Sequence, residues 1–248
     1  MKEKTKRKFV NPDLSIIIPI YNEEENLRPL TLELKEVLET YGHSFEIIFI
    51  NDGSKDSSIK ILKEFVKEFN MNIKVINFEK NCGQTAAFDA GFKQAGGEVL
   101  ITMDADMQND PRDIPLLLKK LEEYDLVCGW RQKREDSFIK KASSIVANWV
   151  RNKISEESIQ DTGCSLKAFR KEVPRHLKLF SGMHRFFPTL AKMEGFSVVE
   201  VKVNHRPRIY GKSKYNIRNR IIKSFLDLLA VRWMKKRRLD YKIKEIVQ

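Results

Sequence analysis

The chain has no apolar run near the ~18 residues that a membrane-crossing helix needs. Its basic N-terminus is followed by a short apolar run, Leu14 to Ile20, which Pro19 interrupts, so no signal peptide is expected. It has three cysteines, Cys82, Cys128 and Cys164, and no Cys-x-x-Cys spacing. That odd, scattered set excludes a disulfide framework or a cysteine-based zinc site, and fits free thiols in a reducing cytosol. No repeat or low-complexity segment is present, which excludes solenoids and linker-rich architectures. Histidines number four. His184 beside Arg185 and His205 beside Arg206 are read as structural residues.

What the 248 residues do have is a hydrophobic fraction of 42%, enough for a substantial core, and a net charge of +12. The charge is unevenly placed. Residues 200–248 carry 15 of the 46 Lys and Arg but only 4 of the 34 Asp and Glu, so nearly all of the excess lies in the last fifth of the chain. Such a tail points to an anionic surface, lipid or nucleic acid, against the plainer reading of a solvated basic helix. Nucleic acid is not expected as a partner, because the tail lacks the interleaved aromatic platform that single-strand binders use.

Short apolar runs alternate with amphipathic stretches over the first half. Strands are expected at Leu14–Pro19, Phe45–Asn51, Ile73–Phe78, Val99–Met103 and Leu126–Gly129. Between them, helices are expected at 24–40, 56–69, 84–95 and 114–123. The 56–69 helix would turn Ile59, Leu62, Phe65, Val66 and Phe69 inward. This order implies an α/β fold, a single Rossmann-type domain with a mostly parallel sheet. Beyond Gly129 the alternation stops. Phe138–Lys153 reads as an amphipathic helix, 161–170 as a turn and short strand, 183–194 as a helix, 197–206 as a half-exposed strand, and 217–236 as a basic helix.

The informative stretch is Met103-Asp104-Ala105-Asp106-Met107-Gln108-Asn109-Asp110-Pro111. It follows a buried strand. If the chain stays extended, Asp104, Asp106 and Gln108 share one side. Carboxylate and amide oxygens suit Mg²⁺ or Mn²⁺, which keep waters and substrate phosphates as their other ligands. Ligands also collect at the carboxyl ends of strands in open α/β sheets. The same residues read equally as a helix start, with Asp110 as N-cap and Pro111 at the first helical position.

Four motifs in order carry a resemblance: Pro19-Ile20-Tyr21-Asn22-Glu23, Asn51-Asp52-Gly53-Ser54, Asp104-Ala105-Asp106 with Gln108 and Pro111, and Arg208-Ile209-Tyr210-Gly211-Lys212-Ser213-Lys214. Together they resemble the family-2 inverting polyprenyl-phosphate glycosyltransferases of the dolichol-phosphate mannose synthase type, over about residues 14–215. The resemblance implies a GT-A-like fold and transfer of a hexose, or modified hexose, from a nucleotide-diphosphate sugar to a polyprenyl phosphate. It implies that Pro19, Tyr21, Glu23 and Asp52 line the nucleotide pocket, with Asp52 reading the base, and that Asp104 and Ala105 contact the nucleoside. Asp106 and Gln108 would hold the divalent cation. Arg131, Arg208 and Lys214 would grip phosphates. Each has a plainer alternative: Pro19 ends a strand, Asp52 caps a turn, and Arg131 pairs with Glu135 or Asp136.

The acceptor follows from proton chemistry. A sugar hydroxyl loses a proton as it attacks, so a positioned carboxylate is expected beside it. A phosphate monoester is already largely dianionic near neutral pH. Sugar polymerases that resemble this fold use a Glu-Asp pair and a Gln-x-x-Arg-Trp motif on the acceptor side. This chain has Asp161-Thr162-Gly163-Cys164-Ser165 there instead. A lipid phosphate acceptor is therefore expected. The alternatives are a hydroxyl acceptor with Asp161 as base, or a non-enzymatic basic binding module.

Residues 217–236 place Ile221, Ile222, Phe225, Leu226, Leu228, Leu229 and Trp233 on one apolar stripe among basic residues, a pattern that lies in a membrane interface or on a small membrane partner. The expected organisation is a basic arm at 1–12, a catalytic domain at 13–215 and a membrane-surface helix and tail at 216–248. The expected location is peripheral, on the cytoplasmic face of a membrane.

Overall fold

The computed structural model describes residues 12–131, 159–209, 217–239, 241 and 244–245, with backbone alone at 217–224. The first half alternates β1 (Leu14–Ile20), α1 (Glu24–Tyr41), β2 (Phe45–Asn51), α2 (Ser58–Glu68), β3 (Asn72–Asn77), α3 (Gln84–Gln94) and β4 (Val99–Thr102). Next come α4 (Ile114–Leu121), β5 (Leu126–Arg131), β6 (Lys167–Arg170), α5 (Glu172–His176), α6 (Phe187–Met193), β7 (Val198–Val203) and α7 (Ile217–Lys236). The strands form one sheet in the order β3-β2-β1-β4-β6-β5-β7. Every pairing is parallel except those of β6, which runs against both β4 and β5.

Alternation along the strands sorts the core into two faces. Ile16, Ile18, Ile47 and Phe49 pack with Leu27, Leu30, Leu62, Phe65 and Leu117 of α1, α2 and α4. Ile17, Ile48 and Ile50 pack with Phe88, Val173, Phe187, Leu190, Leu228 and Val231 of α3, α5, α6 and α7. Burial on both faces explains why Ile16–Ile18 is a continuous apolar run rather than an alternating one.

The expected α/β architecture and mostly parallel sheet are present. Three local readings change. The short strand expected within 161–170 is β6, but neither its reversed direction nor the short helix α5 was signalled by any pattern. Val66 is exposed, because the buried stripe of α2 is narrower and runs through Leu62, Phe65 and Phe69. The single stripe expected on the last helix is split. Leu228 and Val231 are buried against the body, whereas Phe225, Leu226, Leu229 and Trp233 face outward. The expected helix at Phe138–Lys153 lies outside the described residues.

Candidate active site

Strands β1 and β4 pair only from Leu14 and Val99 to Ile17 and Thr102, while β1 stays paired with β2 as far as Ile20. Beyond Ile17 a crevice therefore opens at the point where strand order reverses, the usual ligand position in such sheets. Pro19 stands on its rim. The Ile17 carbonyl accepts a hydrogen bond from the Met103 N–H on the β4 side. Two residues on, the Pro19 nitrogen faces the same side, where no strand remains. A proline fits there because no ladder bond is lost.

On the β2 side, Asp52 is 4% exposed and follows the strand directly. Its carboxylate accepts from the Cys82 N–H at 2.6 Å, the Gly83 N–H at 3.0 Å and Asn81 Nδ2 at 3.0 Å. Burial raises its pKa, opposed by the Cys82 and Gly83 amides. Gly53 has φ +68°, and a Cβ there would sit 2.5 Å from the Asn81 nitrogen. The Asn81–Gly83 loop is thus folded onto the end of β2, and Asp52 holds it. Asn22, at φ +53°, fixes the other wall: its Oδ1 accepts from the Lys55 N–H at 2.7 Å, and Ser54 Oγ accepts from its own N–H at 2.9 Å. Glu23 accepts from Asn26 Nδ2 at 2.7 Å. A recess of about 360 Å³ opens beside Glu23, lined also by Asn22, Glu24 and Asp56. It does not reach the acidic turn.

That turn begins where β4 ends. Asp104 Oδ1 accepts from Gln84 Nε2 at 2.7 Å, at the first residue of α3. Burial, reinforced by the Asp106 charge, pushes the Asp104 carboxyl up to about 6. Ala105 is buried beneath, and Met107 takes φ +62°. This left-handed residue reverses the chain, so the stretch is a turn rather than an extended strand. Asp106 Oδ1 accepts from the Gln108 N–H at 3.2 Å, and Asp106 Oδ2 lies 2.5 Å from Arg208 Nη2. Gln108 directs its Nε2 at the Arg206 carbonyl, 3.3 Å away, with His205 Nε2 at 3.4 Å. Its amide oxygen is therefore the end that can turn toward a cation. Asp110 caps the turn Pro111–Asp113 by accepting from the Arg112 N–H, as the helix-start reading expects.

The positive groups are arranged differently from expectation. Arg131, at the end of β5, forms a two-pronged pair with Asp161, Nε to Oδ2 at 2.7 Å and Nη2 to Oδ1 at 2.9 Å. The side chains are 16% and 6% exposed. The alternative partners Glu135 and Asp136 lie outside the described residues, as does Lys214. Lys167 is buried at 2% exposure and donates to the Cys164 carbonyl. Both Arg131 and Lys167 act on the Asp104 carboxyl and favour its ionised form. Sequence patterning had not singled out Gln84, Ser165 or Lys167, because nothing in their local spacing distinguishes them from ordinary helix and strand residues.

The donors suit a hard divalent cation. They are oxygens, and among the described residues no three His, Cys, Asp or Glu side chains form a closed cage. A cation here would rest on Asp106, with Gln108 and substrate phosphate oxygens completing its shell.

Comparison with known proteins bears on this arrangement directly. Residues 15–177 match the model described as Glycosyl transferase family 2. The chain belongs to that family. Within glycosyl transferase family 2, it is 38% identical over 224 residues to a dodecaprenyl-phosphate galacturonate synthase of Rhizobium johnstonii, covering 88% of this chain and 66% of the relative. The chain thus spans just under two thirds of that relative's length. Its fold matches glucosyl-3-phosphoglycerate synthase of Mycobacterium tuberculosis, solved with Mn²⁺ and UDP, at TM-score 0.68 and 14% identity, covering 92% of this chain and 81% of the other. It also matches a Pyrobaculum calidifontis mannosyltransferase, solved with GDP-Man and Mn²⁺, at TM-score 0.64 and 17% identity, covering 94% and 66%. At such identities these likenesses carry the fold, which is that of GT-A glycosyltransferases.

Proposed function

We propose that the protein transfers a hexose, or modified hexose, from a nucleotide-diphosphate sugar to a polyprenyl phosphate with inversion, using Mg²⁺ or Mn²⁺. The observation that carries the acceptor choice is the Arg131–Asp161 pair. Asp161 is the acid that the sequence places on the acceptor side, and both of its carboxylate oxygens face the Arg131 guanidinium. A carboxylate so held is a poor proton acceptor. An acceptor that arrives ionised, such as a lipid phosphate, needs none. The 38% identity to a dodecaprenyl-phosphate sugar synthase supports the same choice and makes a uronic acid donor the first to try.

The residues divide the work. Pro19, Tyr21, Glu23 and Asp52 bound the nucleoside side, Asp52 by ordering the Asn81–Gly83 loop as well as by facing the base. Asp104 and Ala105 contact the nucleoside from below. Asp106 and Gln108 hold the cation, which acts as a Lewis acid on the departing diphosphate. Arg208, with Lys214, follows the phosphate charge as it develops. Arg131 braces Asp161 and lends its charge to Asp104.

The membrane role is assigned to α7. No helix among the described residues is long and apolar enough to cross a membrane. Phe225, Leu226, Leu229 and Trp233 are 43–64% exposed beside Lys236, Arg237 and Arg238. This surface suits an anionic lipid leaflet, or a small membrane partner, on the cytoplasmic face. The test is transfer of radiolabelled sugar from UDP- and GDP-sugars, including UDP-uronic acids, into a chloroform-extractable product. Label appearing only in a soluble glycan would reject the proposal.

A further inference from the structure

Ser165 lies just before β6, and its hydroxyl sits between the two ends of the acidic turn. It accepts from the Asp104 N–H at 3.1 Å and from Asn109 Nδ2 at 2.8 Å. Its own carbonyl accepts from Thr102 Oγ1 at 2.7 Å, at the last residue of β4. One residue therefore ties the strand end, the first acid and the close of the turn. The turn needs such a tie. Met107 at φ +62° is a non-glycine residue in the left-handed region, a strained conformation that persists only where neighbours over-determine it.

We infer that Ser165 is a positioning residue, whose hydroxyl sets the shape of the Asp104–Asn109 turn and so the presentation of Asp106 and Gln108 to a divalent cation and the diphosphate it accompanies. The inference rests on the proposed function. The chemical argument is one of supply and demand among donors. Asn109 is 4% exposed, so its amide has little access to water when the hydroxyl is removed. A buried N–H left without a partner carries its full desolvation penalty. The turn then relaxes toward a shape that satisfies those donors elsewhere, carrying Asp106 with it. Ser165 itself is half-buried at the crevice, and its effect on the metal passes through the backbone it holds. Partners of this kind behind a metal ligand change affinity by roughly 10- to 100-fold.

The experiment uses the full chain and reads binding rather than turnover. Affinities for UDP and GDP are measured by calorimetry with Mn²⁺ and with EDTA, and Mn²⁺ alone is followed by electron paramagnetic resonance. For Ser165→Ala the expected result is a roughly tenfold loss of Mn²⁺ affinity and of the Mn²⁺-dependent gain in nucleotide affinity, with a clearly smaller loss of metal-free nucleotide affinity passing through Asp104 and Ala105. Ser165→Thr, which keeps the hydroxyl, should restore most of that loss. A packing role would instead lower the melting temperature and both nucleotide affinities together. A folded Ser165→Ala that binds Mn²⁺ as the wild type does overturns the inference. If Ser165→Ala does not fold, Asn109→Ala removes one of the hydroxyl's two donors and must show the same selective loss, or the inference fails. A wild-type chain that binds neither nucleotide with Mn²⁺ sinks the parent proposal instead.

Discussion

Arg208 Nη2 lies 2.5 Å from Asp106 Oδ2, so one carboxylate oxygen serves both a guanidinium and the position where a cation is expected. The two positive groups compete for it. On the proposed site, a cation taking Asp106 would free the guanidinium to turn toward the phosphates that accompany it. Arg208→Gln is therefore expected to raise Mn²⁺ affinity in the absence of nucleotide by several-fold. The same change should lower kcat by on the order of 10²-fold, the size of effect seen when a donor to a developing charge is removed. Calorimetry and initial rates on one preparation check both halves.

Asp106→Ala removes the carboxylate itself. Metal-dependent transfer should vanish while the melting temperature stays within a few degrees of the wild type, since Asp106, 8% exposed, belongs to the turn and not to the apolar core. A rate unchanged by this substitution counts against the whole site.

Asp104 makes a prediction about pH. Its folded pKa, about 6, is above the ordinary 3.8. A proton thus binds the folded state more tightly, and stability is lost as the pH rises from the ordinary value toward the folded one. That cost is absent below about 4, grows between 4 and 6, and is constant above 6. Asp104→Asn should accordingly raise the melting temperature in EDTA at pH 7.5 and show little gain at pH 4.5. An equal gain at both pH values would contradict the burial argument.

Asp161→Asn separates the two acceptor chemistries. It leaves the Arg131 guanidinium, 16% exposed, without its carboxylate, and breaking one side of such a pair costs about 3 kcal/mol. Thermal melts should show that loss. At a temperature where the variant is folded, transfer to a lipid phosphate should fall by less than about tenfold, short of the roughly 10²-fold that general acid–base catalysis supplies at its low end. Loss of turnover with intact donor binding would instead identify Asp161 as a base.

The α7 surface is best probed by substitution. Removing residues 217–248 would uncover the core, because Leu228 and Val231 are buried in it. Leu226→Glu with Trp233→Glu alters only exposed positions. Sedimentation with anionic vesicles should drop sharply while short-chain lipid phosphates are still used.

The parallel sheet, its helices and the acid turn were legible because each is a local pattern: a buried run, a helical period, a carboxylate pair ending a strand. What was not legible depends on distant partners. Nothing in Asp161-Thr162-Gly163 tells that its carboxylate closes on Arg131 across the sheet. Arg131 read as a phosphate ligand, since an arginine after a strand has the same local signature whichever anion it meets. The helix at 217–236 showed its apolar content but not its division. Leu228 and Leu229 are neighbours in sequence, and only packing decides which is core.

The Arg131–Asp161 pair has one more consequence. Arg131 is the last residue of β5 and Asp161 stands six residues before β6, so the ion pair clasps the end of one strand to the approach of its antiparallel neighbour. Severing it would slacken the approach to β6, the same stretch that carries Ser165 under the acidic turn, so a charge lost at Asp161 would be felt as far away as Asp104.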